Sequence, residues 1–232
     1  MQDKSRQPSR RKFLGSLAAS AATISLAGIA APLKATGKTL EENMRGPEDP
    51  EELFKDIKGK HKVVFDATQP HDIFPFAWPR VFMMTNGATG TPEKDLSVVV
   101  VLRHSAIGYA MEDRIWQKYP LGEVFKADDP ATKTASKRNP FWKPDPGAFK
   151  VPGIGAVAIG INQLQDSGVK FLVCNAAMTV YSAAIAQSMN LDAAEVRKDW
   201  DKGLLPNMHL VPSGVWALGR AQEKGCAYIF AG

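Results

Sequence analysis

A chain of 232 residues is long enough to bury a sizeable core, and one domain with extensions is the expected organisation. Its formal charge of +5 is concentrated at the amino end, where residues 1–35 hold six Lys/Arg and a single acid, Asp3, so the remainder is balanced. Without a basic patch beyond that end, nucleic acid is not an expected partner, because neutralising phosphates needs clustered Lys and Arg.

In chain order, Ser9-Arg10-Arg11-Lys12-Phe13-Leu14 resembles the twin-arginine export motif, and residues 15–31 form an uncharged run rich in Ala, Ser and Gly. Residues 1–35 are therefore expected to be a signal peptide, carried by the twin-arginine translocase to the periplasm. A membrane anchor is the alternative, but ~17 weakly apolar residues fall short of the ~20 strongly apolar ones that a span requires. No later segment is apolar enough to span a membrane. Twin-arginine export moves folded proteins, so folding is expected before export. Residues 36–60 read as a polar, acidic linker with Pro47 and Pro50, holding at most a turn or two of helix at 51–57.

Residues 61–232 carry the α/β pattern. His61-Lys62-Val63-Val64-Phe65-Asp66-Ala67 is the first expected strand, followed by a helix-like stretch at 76–85 interrupted by Pro79. Val98-Val99-Val100-Val101-Leu102 is apolar on both faces, which marks a central strand covered on both sides. A helix is expected over 106–119, then an irregular insertion at 120–152 punctuated by Asp128-Asp129-Pro130, Asn139-Pro140-Phe141-Trp142 and Pro144-Asp145-Pro146-Gly147. A helix at 153–165 leads to the strand ending in Cys174. Helices follow at 176–189 and 192–202, the second with Asp192 as N-cap and Gly203 as its stop. A strand at 207–211, a helix at 215–224 and a last strand at 225–230 complete the chain. Strands alternating with helices predict a doubly wound, mainly parallel five-stranded sheet.

The two cysteines, Cys174 and Cys226, fall at the end of one expected strand and the start of another. In a parallel sheet those are opposite edges, ~15 Å apart, against the ~6 Å between Cα atoms that a disulfide allows, so no internal disulfide is expected.

Three stretches of the C-terminal third resemble the DsrE/DsrF-like family: Gly168-Val169-Lys170-Phe171-Leu172-Val173-Cys174-Asn175, Val211-Pro212-Ser213-Gly214-Val215, and Gln222-Glu223-Lys224-Gly225-Cys226-Ala227-Tyr228-Ile229. The resemblance implies a five-stranded domain that assembles as trimers or hexamers. In some members a cysteine carries sulfur as a persulfide, and Cys174 is the residue here that matches it. The leader and the 120–152 insertion depart from the short cytoplasmic sulfur-relay members.

Cys174, His104 and Asp66 end their respective strands, so a parallel sheet places all three along one carboxyl edge, where ligands of open α/β sheets bind. A thiolate is the reactive form of cysteine, and an imidazolium or helix N-terminus nearby favours it. The alternative is that Cys174 is a small buried hydrophobe. Arg103 either binds an anion beside the thiol or pairs with Asp66 or Asp113. Asn175 and His71 are further candidates for binding at that edge. His71, His104 and Cys174, with Met83, Met84, Met111 or Met178, offer soft ligands for a metal or haem, yet no tight ligand spacing is present and no cofactor is expected. His209, within a strand, is read as a core or interface residue and Cys226 as structural. Phe74, Phe76, Trp78 and Phe82 are read as core, and Trp116, Phe141 and Trp142 as a subunit contact.

Two functions are expected from these residues. The first is a periplasmic DsrE-like oligomer that binds or relays a small sulfur species at Cys174, with His104 tuning the thiol and Asp66 orienting nearby cations. The other is a non-catalytic oligomer that binds a small ligand or metal. A conventional enzyme would need a Ser/His/Asp set, a P-loop or a dinucleotide glycine pattern, and the chain has none of these.

Overall fold

The computed structural model describes residues 49–232, so the expected signal peptide and most of the polar linker lie outside the described residues. Five parallel strands form one sheet in the order β6-β5-β2-β1-β7, the doubly wound α/β architecture expected from the alternating pattern. These strands are β1 (His61–Ala67), β2 (Leu96–Leu102), β5 (Lys170–Cys174), β6 (Met208–Val211) and β7 (Ala227–Phe230). A separate hairpin pairs β3 (Lys150–Val151) with β4 (Gly155–Ala156).

β2 shows why the sheet must be covered on both sides. Val98, Val100 and Leu102 join the larger core with Val63, Phe65 and Ala67 of β1, whereas Val99 and Val101 join a smaller core with Val64. A strand side-chain period of two sends alternate residues to opposite faces, so an all-apolar strand fills both cores. The larger core is roofed by α1 (Phe74–Ala88), α4 (Ile161–Asp166), α5 (Asn175–Met189) and α6 (Ala193–Lys202). The smaller is closed by α7 (Gly214–Glu223) and by Leu53, Phe54 and Ile57, around the single 3-10 turn Glu52–Phe54. The packed unit thus reaches upstream of His61, and Lys170 reinforces it by donating to the Leu53 carbonyl at 2.7 Å.

Several elements differ from expectation. α1 runs unbroken through Pro79, even though that residue cannot donate to the turn before it. Its Arg80 ties the helix to the segment around α4 by donating to the Ala158 and Gln163 carbonyls. The helix expected over 106–119 splits into a 3-10 segment, His104–Ala110, and the short helix α2 (Asp113–Lys118). The helix expected over 153–165 begins only at Ile161, because residues 150–156 form the β3–β4 hairpin.

The insertion is folded. It contains α3 (Leu121–Phe125) and is clamped by Asn139, a fully buried side chain whose amide donates to the Tyr109 and Met111 carbonyls at 2.8 and 2.9 Å. The Asn139 backbone N–H donates to Asp113, and its side-chain oxygen accepts from the Phe141 N–H. Buried amides of this kind persist only when their hydrogen bonds are made, so the clamp specifies how the loop docks. Gly122 is required at the same junction, since a Cβ there would lie 2.1 Å from the Ser136 carbonyl oxygen.

Trp116 and Phe141 are therefore core residues, not the subunit contact expected of them. Phe141 packs on Phe76 and stacks on Phe149, and Trp116 donates its indole N–H to the Gly108 carbonyl at 3.0 Å. Trp142 is partly buried against the same core. Of the expected α1 cluster, Phe76 is buried and Trp78 is exposed. His209 lies inside β6, paired in register with Leu172. Cys174 and Cys226 are both free and buried, and they belong to different cores. Burial pushes the Cys226 thiol up, against the pull of Lys62. No helix among the described residues is long and apolar enough to cross a membrane.

Candidate functional site

Because every pairing in the sheet is parallel, the carboxyl ends of its strands share one edge. Leu102 is in register with Val173, so the next residues outward, Arg103 and Cys174, stand side by side where β2 and β5 end. Adjacent strands lie ~4.8 Å apart, which makes these two residues immediate neighbours.

Cys174 is the N-cap of α5, and its sulfur accepts a hydrogen bond from the Ala177 N–H at 3.3 Å. An N-cap acceptor sits at the positive end of the helix dipole. The residue is buried, at 6% exposure.

Asp66 projects from β1 and is 1% exposed. Arg103 grips it with a two-pronged contact, Nε to Oδ1 at 2.6 Å and Nη2 to Oδ2 at 2.9 Å, while the Tyr228 hydroxyl donates to Oδ2 at 2.8 Å. Of the alternatives for Arg103, the pair with Asp66 is the one formed, and Asp113 instead caps the Asn139 clamp. The arginine stem crosses the first residue of α7, where a Cβ on Gly214 would come within 2.6 Å of the Arg103 Cβ. The hydrogen bonds to Asp66 hold the guanidinium above its ordinary range despite desolvation, and Cys174 is among the smaller contributors. Arg103 is thus a permanent cation, 28% exposed at its side chain, with its guanidinium held toward β1.

His104 is placed on the same edge but faces elsewhere. Its backbone has a φ of 50°, and its Nε2 lies 2.9 Å from the Tyr181 hydroxyl while Nδ1 lies 3.3 Å from Ser105 Oγ. Burial pushes the Tyr181 hydroxyl up to about 12, so it keeps its proton. Both ring nitrogens are thereby engaged away from Cys174. His71 lies exposed on the loop after β1 with its ring against Phe74, and Asp72 beside it pairs with Lys133 of the insertion. Asn175 is buried, and its side-chain oxygen accepts from Arg197, whose Nη1 also donates to Thr179 at 2.6 Å.

Compared with known proteins, this chain matches no family model and no curated sequence. The chemistry must therefore be argued from the edge itself. Among the described residues no group of three or more His, Cys, Asp or Glu is placed to hold a metal ion. Met83, Met111 and Met178 fill the larger core, and Met84 is exposed.

Sequence reasoning missed Tyr228, Tyr181 and Arg197. A register reading was available for Tyr228 alone: once β7 lies beside β1, Phe230 pairs with Asp66 and Tyr228 shares its face. The other two sit on helices, and no sequence signal announced their reach.

Away from the edge, a cleft of about 320 Å3 is lined in part by Lys118, Tyr119, Asp192, Glu195 and Asp199. Asp199 accepts from Arg114, Lys118 and Tyr119, and these donors hold its carboxyl well below the usual range. A depressed carboxylate contributes stability that is present above the unfolded pKa of ~3.9 and lost as pH falls through the folded value. The Asp199→Asn variant should accordingly lose less stability than wild type between about pH 4 and pH 2, by acid titration followed with circular dichroism. Solvent screening keeps this difference small.

Proposed function

We propose that the protein is a periplasmic, DsrE-like homo-oligomer, a trimer or hexamer, that binds or relays a small sulfur species through Cys174. The observation that carries this reading is a thiol at the carboxyl edge of a parallel sheet that caps a 15-residue helix, one register position from Arg103. The thiolate is the form of cysteine that attacks sulfane sulfur. Asp66 acts by fixing Arg103. His104 acts at one remove, through Tyr181 on the helix that Cys174 caps. Tyr228, Ile229 and Phe230 lie exposed on the edge strand β7, and an unpaired apolar edge supports assembly with further copies.

Intact mass after treatment with thiosulfate or polysulfide tests the relay. Wild type is expected to gain steps of ~32 Da, one sulfur atom each, and Cys174→Ser to gain none. A folded wild-type protein that resists both sulfur loading and alkylation at Cys174 would overturn it. The second reading, a binder without covalent chemistry, is favoured by one observation, the burial of the Cys174 sulfur. That reading predicts a ligand-dependent rise in Tm with no mass change.

A further inference from the structure

The two edges of the sheet are not alike. β6, at one end of the strand order, leaves none of its residues exposed, whereas β7, at the other, exposes all four. Tyr228, Ile229 and Phe230 are 45%, 38% and 56% exposed, and the strand carries neither the charge nor the proline that ordinarily blunts an edge. The Ala231 N–H donates to the Asp66 carbonyl, so the alternation of a parallel ladder turns the backbone groups of Ala227 and Ile229 toward β1 as well. Tyr228 and Phe230 direct their N–H and C=O groups outward, and among the described residues no strand lies beyond them.

We infer that β7 pairs antiparallel with β7 of a second copy, about a two-fold axis at Ile229, joining two sheets into one. Only residues with outward groups can exchange hydrogen bonds across the axis. This register sets Tyr228 of each copy against Phe230 of the other and so makes about four such bonds. Tyr228 shares the face of Asp66 with Phe230, so two aromatic pairs form there, while Ile229 meets its own copy on the face it shares with Phe65. The charges at the strand ends favour the same arrangement. Lys62 donates to the Lys224 carbonyl at 3.0 Å, so two lysines mark the amino end. Gly232 lies against His71, whose neighbour Asp72 marks the carboxyl end. An antiparallel pair carries the lysines of each copy to the Asp72 end of the other, where a parallel pair would crowd like charges together. The inference deepens the assembly part of the proposed function and is independent of the chemistry at Cys174. A two-fold contact builds even-numbered assemblies, so a hexamer accommodates it and a lone trimer does not.

Sedimentation velocity of the full chain over a range of concentrations tests the contact. Ile229→Lys sets two lysines face to face at the axis and should weaken association at least about tenfold. Its circular dichroism should match wild type, because the side chain it replaces is exposed. Mixing it with Ile229→Glu should restore the wild-type mass, an outcome open only to a residue that meets itself. On mild oxidation Ile229→Cys should cross-link between copies and Phe230→Cys should not, since Cα separations of ~4.5 Å and ~7–8 Å lie inside and outside disulfide reach. Equal masses for wild type and Ile229→Lys, failure of the Lys and Glu variants to recombine, or equal cross-linking at 229 and 230 overturns the inference. An odd-numbered wild-type oligomer also overturns it, while the homo-oligomer reading stands. A wild type that stays monomeric at every concentration overturns both and leaves the edge to an unlike partner.

Discussion

Replacing Phe141 by alanine is expected to destabilise the domain by about 3–5 kcal/mol and to release the insertion. Phe141 is fully buried, with its ring centroid 4.4 Å from that of Phe76 and 5.2 Å from those of Tyr109 and Phe149. It therefore links α1, the 3-10 segment after β2 and the hairpin side of the insertion. Its carbonyl also accepts from the Ile161 N–H at 2.8 Å, which sets the start of α4. Truncation would open a cavity that backbone clamped by Asn139 cannot readily collapse into, so the cost should lie toward the upper end of that range. Urea unfolding measures the loss, and limited proteolysis should show new cuts within residues 126–150 before the sheet is attacked. Equal urea midpoints for variant and wild type would mean that the insertion docks without its aromatic anchor.

Arg103→Met carries the second large effect, expected to be about 3 kcal/mol of destabilisation. Removing the guanidinium leaves the Asp66 carboxylate 1% exposed with Tyr228 as its remaining donor. A buried charge stripped of its partner costs more than the pair ever contributed, because the desolvation of the survivor goes uncompensated. Adding Asp66→Asn should recover much of the loss, and the double-mutant cycle reads the coupling directly. If Arg103→Met and the double variant unfold at the same denaturant concentration, the pair is not coupled and the edge is less rigid than its hydrogen bonds imply.

The sheet was legible because its signal is local and periodic. Val98 to Leu102 declare two covered faces without reference to any other residue, and β1 falls on the expected seven residues. N-caps were equally readable, since Asp192 and Ser213 accept from backbone N–H groups three residues on. The insertion was not. Its turns hide a fold held by Asn139 and Phe141 reaching Tyr109, Met111 and Phe76, and nothing in a Pro-rich stretch reports contacts at such separations. The same holds at the candidate site, where the nearness of Cys174, Arg103 and Asp66 to one edge follows from strand ends, but the direction of each side chain does not.

What the amino-acid order determined by itself is therefore the parallel sheet and the row of polar residues along its carboxyl rim, since both depend on periodicity within a few neighbouring residues. Only the tertiary structure decided the partners in that row: Arg103 to Asp66 and Tyr228, His104 to Tyr181, and the Cys174 sulfur to its own helix. Those choices are made by competition among donors and acceptors from different strands and helices, which meet only after the chain has closed around its two cores.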